Sequence, residues 1–516
     1  MKSLYPLACC LWMAVVAPAI AADAPTELRV WATTADRRYA LTELPVDATS
    51  SAVELAAIDG HAVDGHAVDE HAVDEHAAVE QDVPEIVIAI DPTQRHQRIE
   101  GFGASITDSS AWLLQRTLRP SARKALLREL FAAPPNGIGL GMVRLTIGAS
   151  DFSLSHYSLD DAPAGETDPT LKRFHLPPQQ RDVLAATRAA RAINPDLRVM
   201  ASPWSAPAWM KDNDSLIKGT LREEHYDAFA RYMIKYVDAL SARGIPLFAL
   251  TLQNEPAFEP ENYPGMRLSA QQRIALIGTH LGPMLRAAGH KVRILDWDHN
   301  WDQPEEPTAV LSDPTASRYV DGVAWHCYGG HVSAQSKVRD LFPDKSVYLT
   351  ECSGGDWEPV RSGGMTLLAR DLIVGGTRHW ASGVLLWNLA LDEHSGPHAG
   401  GCGNCRGVVT IDSRTGAVTR NDEYYVLAHV SRFVPPGAYR VASSEGRDGV
   451  DNVAFVDAAR NRTILVVVNA SERPRTVTLD APGLRTRYTL APKSLHTFVW
   501  PDATKTPDVT KHGRNR

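Results

Sequence analysis

Two runs of this chain carry a β-prone apolar stretch straight into a carboxylate. The first is Phe248-Ala249-Leu250-Thr251-Leu252-Gln253-Asn254-Glu255-Pro256, and the second is Ser346-Val347-Tyr348-Leu349-Thr350-Glu351-Cys352-Ser353-Gly354. Pro256 cannot donate to a β-ladder, so the first strand must stop beside Glu255. A carboxylate at the C-terminal mouth of a strand is where barrel enzymes keep their chemistry. Two such glutamates suggest glycoside hydrolysis, which needs a carboxyl pair: one member stays protonated as acid/base and the other stays ionised as nucleophile. Glu255 is expected as the acid/base and Glu351 as the nucleophile. A neighbouring negative charge would raise the first, and hydrogen bonds would lower the second. One strand-end glutamate alone is as often structural as functional; two on comparable strands favour function.

Groups suited to sugars surround them in sequence. Asn254 adjoins the acid and has the reach to hydrogen-bond a sugar hydroxyl. Trp204, within Ala201-Ser202-Pro203-Trp204-Ser205-Ala206-Pro207-Ala208-Trp209, and Trp387, within Leu385-Leu386-Trp387-Asn388, offer apolar faces to a pyranose ring. Arg144 and Asp151 flank the exit of the second strand, and His326 and Tyr328 end the sixth. A single tryptophan is more often core than platform, but the shared position at strand ends shifts that balance.

These residues need a frame, and the chain supplies a strand-then-helix rhythm. The candidate strands are Gly101–Ser105, Gly141–Ile147, Arg198–Ser202, Leu247–Leu252, Lys291–Asp296, Gly322–His326, Ser346–Thr350 and Gly383–Asn388. Amphipathic stretches lie between them, among them Ala122–Leu130, Gln180–Ala192, Tyr226–Ser241, Ala270–Ala288 and Leu367–Thr377, and Tyr424–Phe433 is the expected last helix. Eight strands alternating with helices predict a closed parallel (β/α)8 barrel of the α/β class over residues 99–437. Glu255 and Glu351 then end the fourth and seventh strands.

Beyond Pro435 short β-prone runs separated by turn residues predict an all-β sandwich over 438–501, completed by strands within 23–98 such as Glu27–Ala40 and Glu85–Ile90. The barrel is therefore an insertion in a sandwich built from both chain ends. The last residues, 502–516, are expected to be disordered.

Composition narrows the class. The chain has 516 residues, 44% of them hydrophobic and 22% charged, enough for large cores. A net charge of −8 gives no basic footprint for nucleic acid. Residues 1–22 resemble an export signal: Lys2, a mostly apolar Leu4 to Ile20, and the small-x-small Ala19-Ile20-Ala21. Leu7-Ala8-Cys9 is a weaker match to a lipoprotein site. No later segment reaches a ~20-residue apolar span, so a secreted or periplasmic protein without an integral membrane segment is expected. Of the six cysteines, Cys9 and Cys10 leave with the signal. Cys402 and Cys405 form a C-x-x-C without a second pair at zinc-ligand spacing, so a local disulfide is favoured over a metal site. Cys327 and Cys352, near strand ends, are read as packing residues. Within 59–80 the motif Asp-Gly-His-Ala-Val recurs with small changes, carrying His61, His66, His71 and His76 among acids. A five-residue step turns a helix by about 500°, so successive histidines share no face, and a solvated acidic linker is favoured over a metal tract.

With these residues in hand the chain resembles glycoside hydrolase family 30. The resemblance is carried by Gly101-Phe102-Gly103-Ala104-Ser105-Ile106-Thr107-Asp108, Ala201–Trp209, Gln253-Asn254-Glu255-Pro256, Trp325-His326-Cys327-Tyr328 and Trp387-Asn388-Leu389-Ala390-Leu391, in order from about Ile99 to Trp500. It implies a (β/α)8 barrel with a side sandwich and a retaining mechanism needing neither metal nor organic cofactor. It places Glu255 as acid/base and Glu351 as nucleophile. It also implies sugar binding by Asp151, Trp204, Asn254 and Trp387, and orientation of the nucleophile by Arg144, His326 and Tyr328. A β-glucosidase similar to glucosylceramidase, acting on a β-glucoside or glycolipid, is the first expectation. An endo-β-1,6-glucanase acting on β-glucan is the alternative, ahead of a xylanase or a non-catalytic carbohydrate-binding protein. Two features depart from the family pattern. The histidine repeat has no counterpart in it, and the loop His394–Gly407 differs from the animal ceramidase loop, which weakens ceramide specificity.

Overall fold

The computed structural model describes residues 27–46, 85–357 and 364–503. The expected export signal, the histidine repeat and residues 504–516 lie outside them. All eight expected barrel strands are present, in the order Gly101–Ser105, Met142–Ile147, Arg198–Pro203, Ala249–Thr251, Arg293–Asn300, Val320–His326, Ser346–Glu351 and Ala381–Asn388. Each pairs in parallel with its sequence neighbours, and the first pairs with the eighth, closing the barrel.

Helices form where apolar residues recur at helical spacing. In Tyr226–Ser241 the buried face is Phe229, Met233, Tyr236, Val237 and Leu240, and the chain leaves the helix through Gly244 at φ +73. The helical stretch from Ala270 is opened by a capping box, in which Ser269 accepts from the Gln272 amide and the Gln272 side chain answers on the Ser269 backbone. Glu305–Ser312 and Ser333–Leu341 fill the ring after the fifth and sixth strands.

The barrel interior follows from the period of a strand. Met142, Met200, Ala249, Leu295, Ala324, Tyr348 and Leu385 point inward and pack together as an apolar plug. Two residues further along, side chains face the same way again, one layer nearer the C-terminal mouth. Those residues are Arg144, Ser202, Thr251, His326, Thr350 and Trp387. The barrel is therefore apolar below and polar above, and the polar layer is the floor of a site. Backbones run close beneath it: a Cβ on Gly103 would lie 1.8 Å from the Met142 carbonyl oxygen. Gly103→Ala should destabilise the fold by about 3 kcal/mol through overpacking, read as a lower denaturation midpoint at unchanged slope.

Outside the barrel, nine strands form one sheet that folds into the side module. Arg29–Thr34 pairs with Ser494–Pro501, and Ile86–Arg98 pairs with both Tyr439–Ser443 and Arg475–Ala481, so both chain ends contribute. Val30, Ile88, Val441, Val467 and Phe498 share its core. One strand exceeds expectation. The strand expected to end at Ile90 runs through Pro92 to Arg98, with shifts of register against Tyr439–Ser443 that absorb the proline.

Candidate active site

The sequence-predicted residues converge at the C-terminal mouth of the barrel. Glu255, Glu351, Asp151, Trp204, Asn254, Tyr328 and Trp387 line one cleft of about 510 Å³, with Arg144 and His326 buried in its floor. One carboxylate oxygen from each of Glu255 and Glu351, and a nitrogen of His326, lie within 4.8 Å of one another. That separation suits direct attack by one carboxylate, whereas inversion requires roughly 6.5–9.5 Å to seat a water.

Local backbone devices set the two glutamates. Glu255 adopts a left-handed conformation, φ 48, held by its amide donating to the Asp298 carbonyl at 3.0 Å and by Pro256 after it. Glu351 lies where the register between the sixth and seventh strands shifts, opposite His326. Its Oε2 accepts from Arg144 Nη1 at 2.7 Å and its Oε1 from the Tyr328 hydroxyl at 3.0 Å, so both oxygens are pinned. Glu255 is the more open of the two, with 15% of its side chain exposed against 7% for Glu351.

The residue that organises this floor is Asp298, which the sequence reading missed. Its Oδ2 accepts from Arg144, Ser202 and Thr251, each at 2.7 Å. Its Oδ1 accepts from Thr350 at 2.6 Å and from His326 Nε2 at 3.1 Å. Donors from the second, third, fourth, sixth and seventh strands thus meet on one carboxylate at the barrel axis. Regular alternation would have turned Asp298 outward with Asp296, which instead pairs with Arg273 behind the barrel at 2.9 Å. A bulge between Trp297 and His299, with Trp297 and Asp298 both at positive φ, reverses the side chain. The expected strand ended at Asp296; the visible signal was the dense Asp296-Trp297-Asp298-His299-Asn300 that follows.

Arg144 is the central cation. It is 1% exposed and reaches Asn254 Oδ1 at 2.7 Å besides Asp298 and Glu351. Its guanidinium sits 4.9 Å from the Trp204 ring centre and 5.5 Å from that of Trp387. Those two indoles stack on each other, 4.9 Å apart and tilted by 18°, as one aromatic wall. Trp387 Nε1 donates to Asp151 at 3.2 Å. Burial, with the Glu351 charge adding to it, pushes Asp151 up to about 8, so at neutral pH it faces the cleft as an uncharged acid.

His326 does not act as expected. It was assigned to orient Glu351, but its hydrogen bonds go to Glu255 at 3.1 Å and to Asp298, while Glu351 stands 4.0 Å away. This reverses the expected electrostatics. Burial pushes Glu255 up, but the hydrogen bond and charge of His326, with His299 and Arg144 behind it, hold this carboxyl below its usual range. Burial raises Glu351 beyond what His326 and Arg144 recover, and Glu255 and Asp298 add to the rise. Burial lowers His326, yet Glu351, Asp298 and Glu255 override it and raise the imidazole to about 9. At neutral pH the Glu255–His326 pair holds one proton, resting on the imidazole.

Glu255, His326 and Glu351 have the donor types of a divalent-metal site. Their atoms are engaged otherwise: His326 donates to Glu255, Arg144 and Tyr328 occupy Glu351, and buried cations balance the charge. The donor set fits acid/base and nucleophilic work better than metal ligation. Two disulfides complete the mouth. Cys402 and Cys405 are bonded within the cleft wall. Cys327 and Cys352 are also bonded, which corrects their reading as packing residues: the sixth and seventh strands bring to 5.4 Å two Cα atoms that sequence separates by 25 residues.

A parallel barrel with a carboxyl pair at the ends of its fourth and seventh strands, beneath an aromatic wall, defines a glycoside hydrolase. Residues 99–434 match the glycosyl hydrolase family 30 TIM-barrel domain and 437–498 that family's beta sandwich domain. The chain belongs to glycosyl hydrolase family 30 and is a retaining hydrolase of β-glycosidic bonds. It is 35% identical over 405 residues to an endo-1,6-beta-D-glucanase of Aspergillus fumigatus, across 73% of this chain and 80% of that one. It is 30% identical over 445 residues to the lysosomal acid glucosylceramidase of Mus musculus, across 80% and 83%. A solved endo-beta1,6-glucanase superposes with TM-score 0.79 at 30% identity, covering 92% of this chain and 99% of that one.

Proposed function

We propose that the chain is an exported endo-β-1,6-glucanase that works by double displacement. The observation carrying the substrate is one of likeness: fungal endo-1,6-glucanases match at 34–35% identity, above the 30% of the mouse glucosylceramidase. This reverses the order in which the residue pattern ranked the two. The cleft supports a polymer. Beyond the buried Trp204–Trp387 wall, the half-exposed rings of Phe258 and Trp357 line the same cleft and offer apolar faces to further sugars. Export rests on Lys2, the apolar run and Ala19-Ile20-Ala21.

In the first step the Glu351 carboxylate attacks the anomeric carbon while Glu255 gives its proton to the departing glycosidic oxygen. In the second, Glu255 takes a proton from water, which displaces Glu351 and releases the sugar with retained configuration. The deeper, doubly pinned Glu351 suits a nucleophile, and the more open Glu255 suits a group that meets both leaving group and water. Moving the shared proton along the 3.1 Å bond from His326 to Glu255 leaves the pair's net charge unchanged. The acid form is thus reached without ionising another group.

A pH profile tests this proton inventory. The value of kcat/KM reports the free enzyme, so it should fall on the acid side as Glu351 protonates and on the alkaline side as the pair loses its proton near pH 9. His326→Asn should move the alkaline limb down by about one unit or more. An unmoved limb would remove His326 from the inventory. For the substrate, purified protein given β-1,6-glucan, glucosylceramide and xylan should release short β-1,6-linked oligosaccharides from the first. Turnover of glucosylceramide with β-1,6-glucan left intact would overturn the glucanase reading.

A further inference from the structure

Tyr328 is the donor on Glu351 whose position packing explains least. It is 46% exposed, so burial does not fix it, and just beyond it the Gly329 carbonyl accepts from the Trp301 amide at 2.9 Å. The β-ladder does not reach it either: the last pair between the sixth and seventh strands is His326 with Glu351, past a shift of register. Yet its hydroxyl sits 3.0 Å from Glu351 Oε1. Two further anchors remain. The Tyr328 amide donates to Asn300 Oδ1 at 3.1 Å, and the residue before it is Cys327.

The partner, Cys352, directly follows Glu351. It is 4% exposed, and its carbonyl accepts from the Trp387 amide at 2.8 Å, so it is fixed to the eighth strand. We propose that the Cys327–Cys352 disulfide is a positioning element of the reaction, transferring the fixed place of Cys352 to Cys327 and so holding the Tyr328 hydroxyl on Glu351. The bond closes the ladder covalently where hydrogen bonding between these strands ends. The proposal rests on the reading of Glu351 as nucleophile.

A purely structural staple and a positioning element differ in how they couple to Tyr328. The test is a cycle of Cys327→Ser/Cys352→Ser, Tyr328→Phe and the combined variant, assayed on β-1,6-glucan oligosaccharides. The cysteine pair should lower kcat about 10-fold with KM changed less than about 3-fold, and in the Tyr328→Phe background the same change should cost less than about 2-fold. Equal losses in both backgrounds, or an unchanged kcat, would overturn the proposal.

If the cysteine variant does not fold, folded wild-type and Tyr328→Phe proteins are treated with dithiothreitol. The disulfide accepts two electrons and two protons to give two thiols, the dithiol closes to its cyclic disulfide, and alkylation at Cys327 and Cys352 is mapped by mass. The same inequality is then required. Azide rescue of Glu351→Ala is measured in parallel. Rescue together with an additive cycle sinks the positioning role alone, whereas absence of rescue sinks the reading beneath it.

Discussion

Replacing Glu351 by alanine should lower kcat by about ten-thousand-fold or more on an activated β-glucoside, and azide should restore turnover. In the proposed mechanism the side chain supplies the bond-forming atom of the first step, so nothing left in the cleft would replace it. Removing it also leaves the Tyr328 hydroxyl and one branch of Arg144 facing space that a small anion can enter. Azide arriving from that side, with no second displacement, should give an α-glucosyl azide, identified by NMR. A β-configured azide would place the attack on the other face and exchange the roles of Glu351 and Glu255. Near wild-type turnover in the unrescued variant would remove Glu351 from the mechanism.

The second large effect is expected at a residue that never meets the sugar. Asp298→Ala should destabilise the protein by about 3–5 kcal/mol and lower kcat by about a hundred-fold or more, because it strips the buried Arg144 and His326 of their shared counter-ion. Asp298→Asn keeps the shape and some hydrogen bonds and should lie between. The pH dependence carries a definite sign. Burial pushes Asp298 up, but Arg144 and His326 hold it well below the usual carboxylate range, so its contribution is present above about pH 4 and lost only as pH falls through its folded value. His326 is raised to about 9, so its contribution is complete below its ordinary 6.5 and is lost as pH rises through 9. Denaturation of wild type against Asp298→Asn at several pH values checks both signs. A stability difference that grows below pH 4 would contradict the account.

How much of this was legible in the chain depends on how regular the backbone is. Where strands alternate without interruption, reading the sequence located them: Arg144 stands two residues beyond inward Met142, and His326 two beyond Ala324. Glu255 and Glu351 were found because each ends an apolar run on an acid, and the tertiary fold had only to close the barrel to bring them together. Asp298 was hidden because one extra residue in the fifth strand inverts the parity from which facing is inferred, and nothing in Asp296-Trp297-Asp298 marks that bulge. His326 was found, but its partner was misjudged. The choice between Glu255 and Glu351 turns on the left-handed turn at Glu255, which the residue types do not encode. The Cys327–Cys352 bond was missed for a related reason. Its two sulfurs meet only because adjacent parallel strands end at the same height, a fact of register and not of spacing.

The most direct measurement is covalent trapping. A 2-deoxy-2-fluoro-β-gentiobiosyl fluoride slows the second step more than the first, so the sugar stays on the residue that attacked it. Proteolysis and mass spectrometry should find the label on Glu351, within Ser346–Gly354, with activity lost in step with labelling. A label on Glu255, or inactivation with no label on either glutamate, would contradict the division of labour between them.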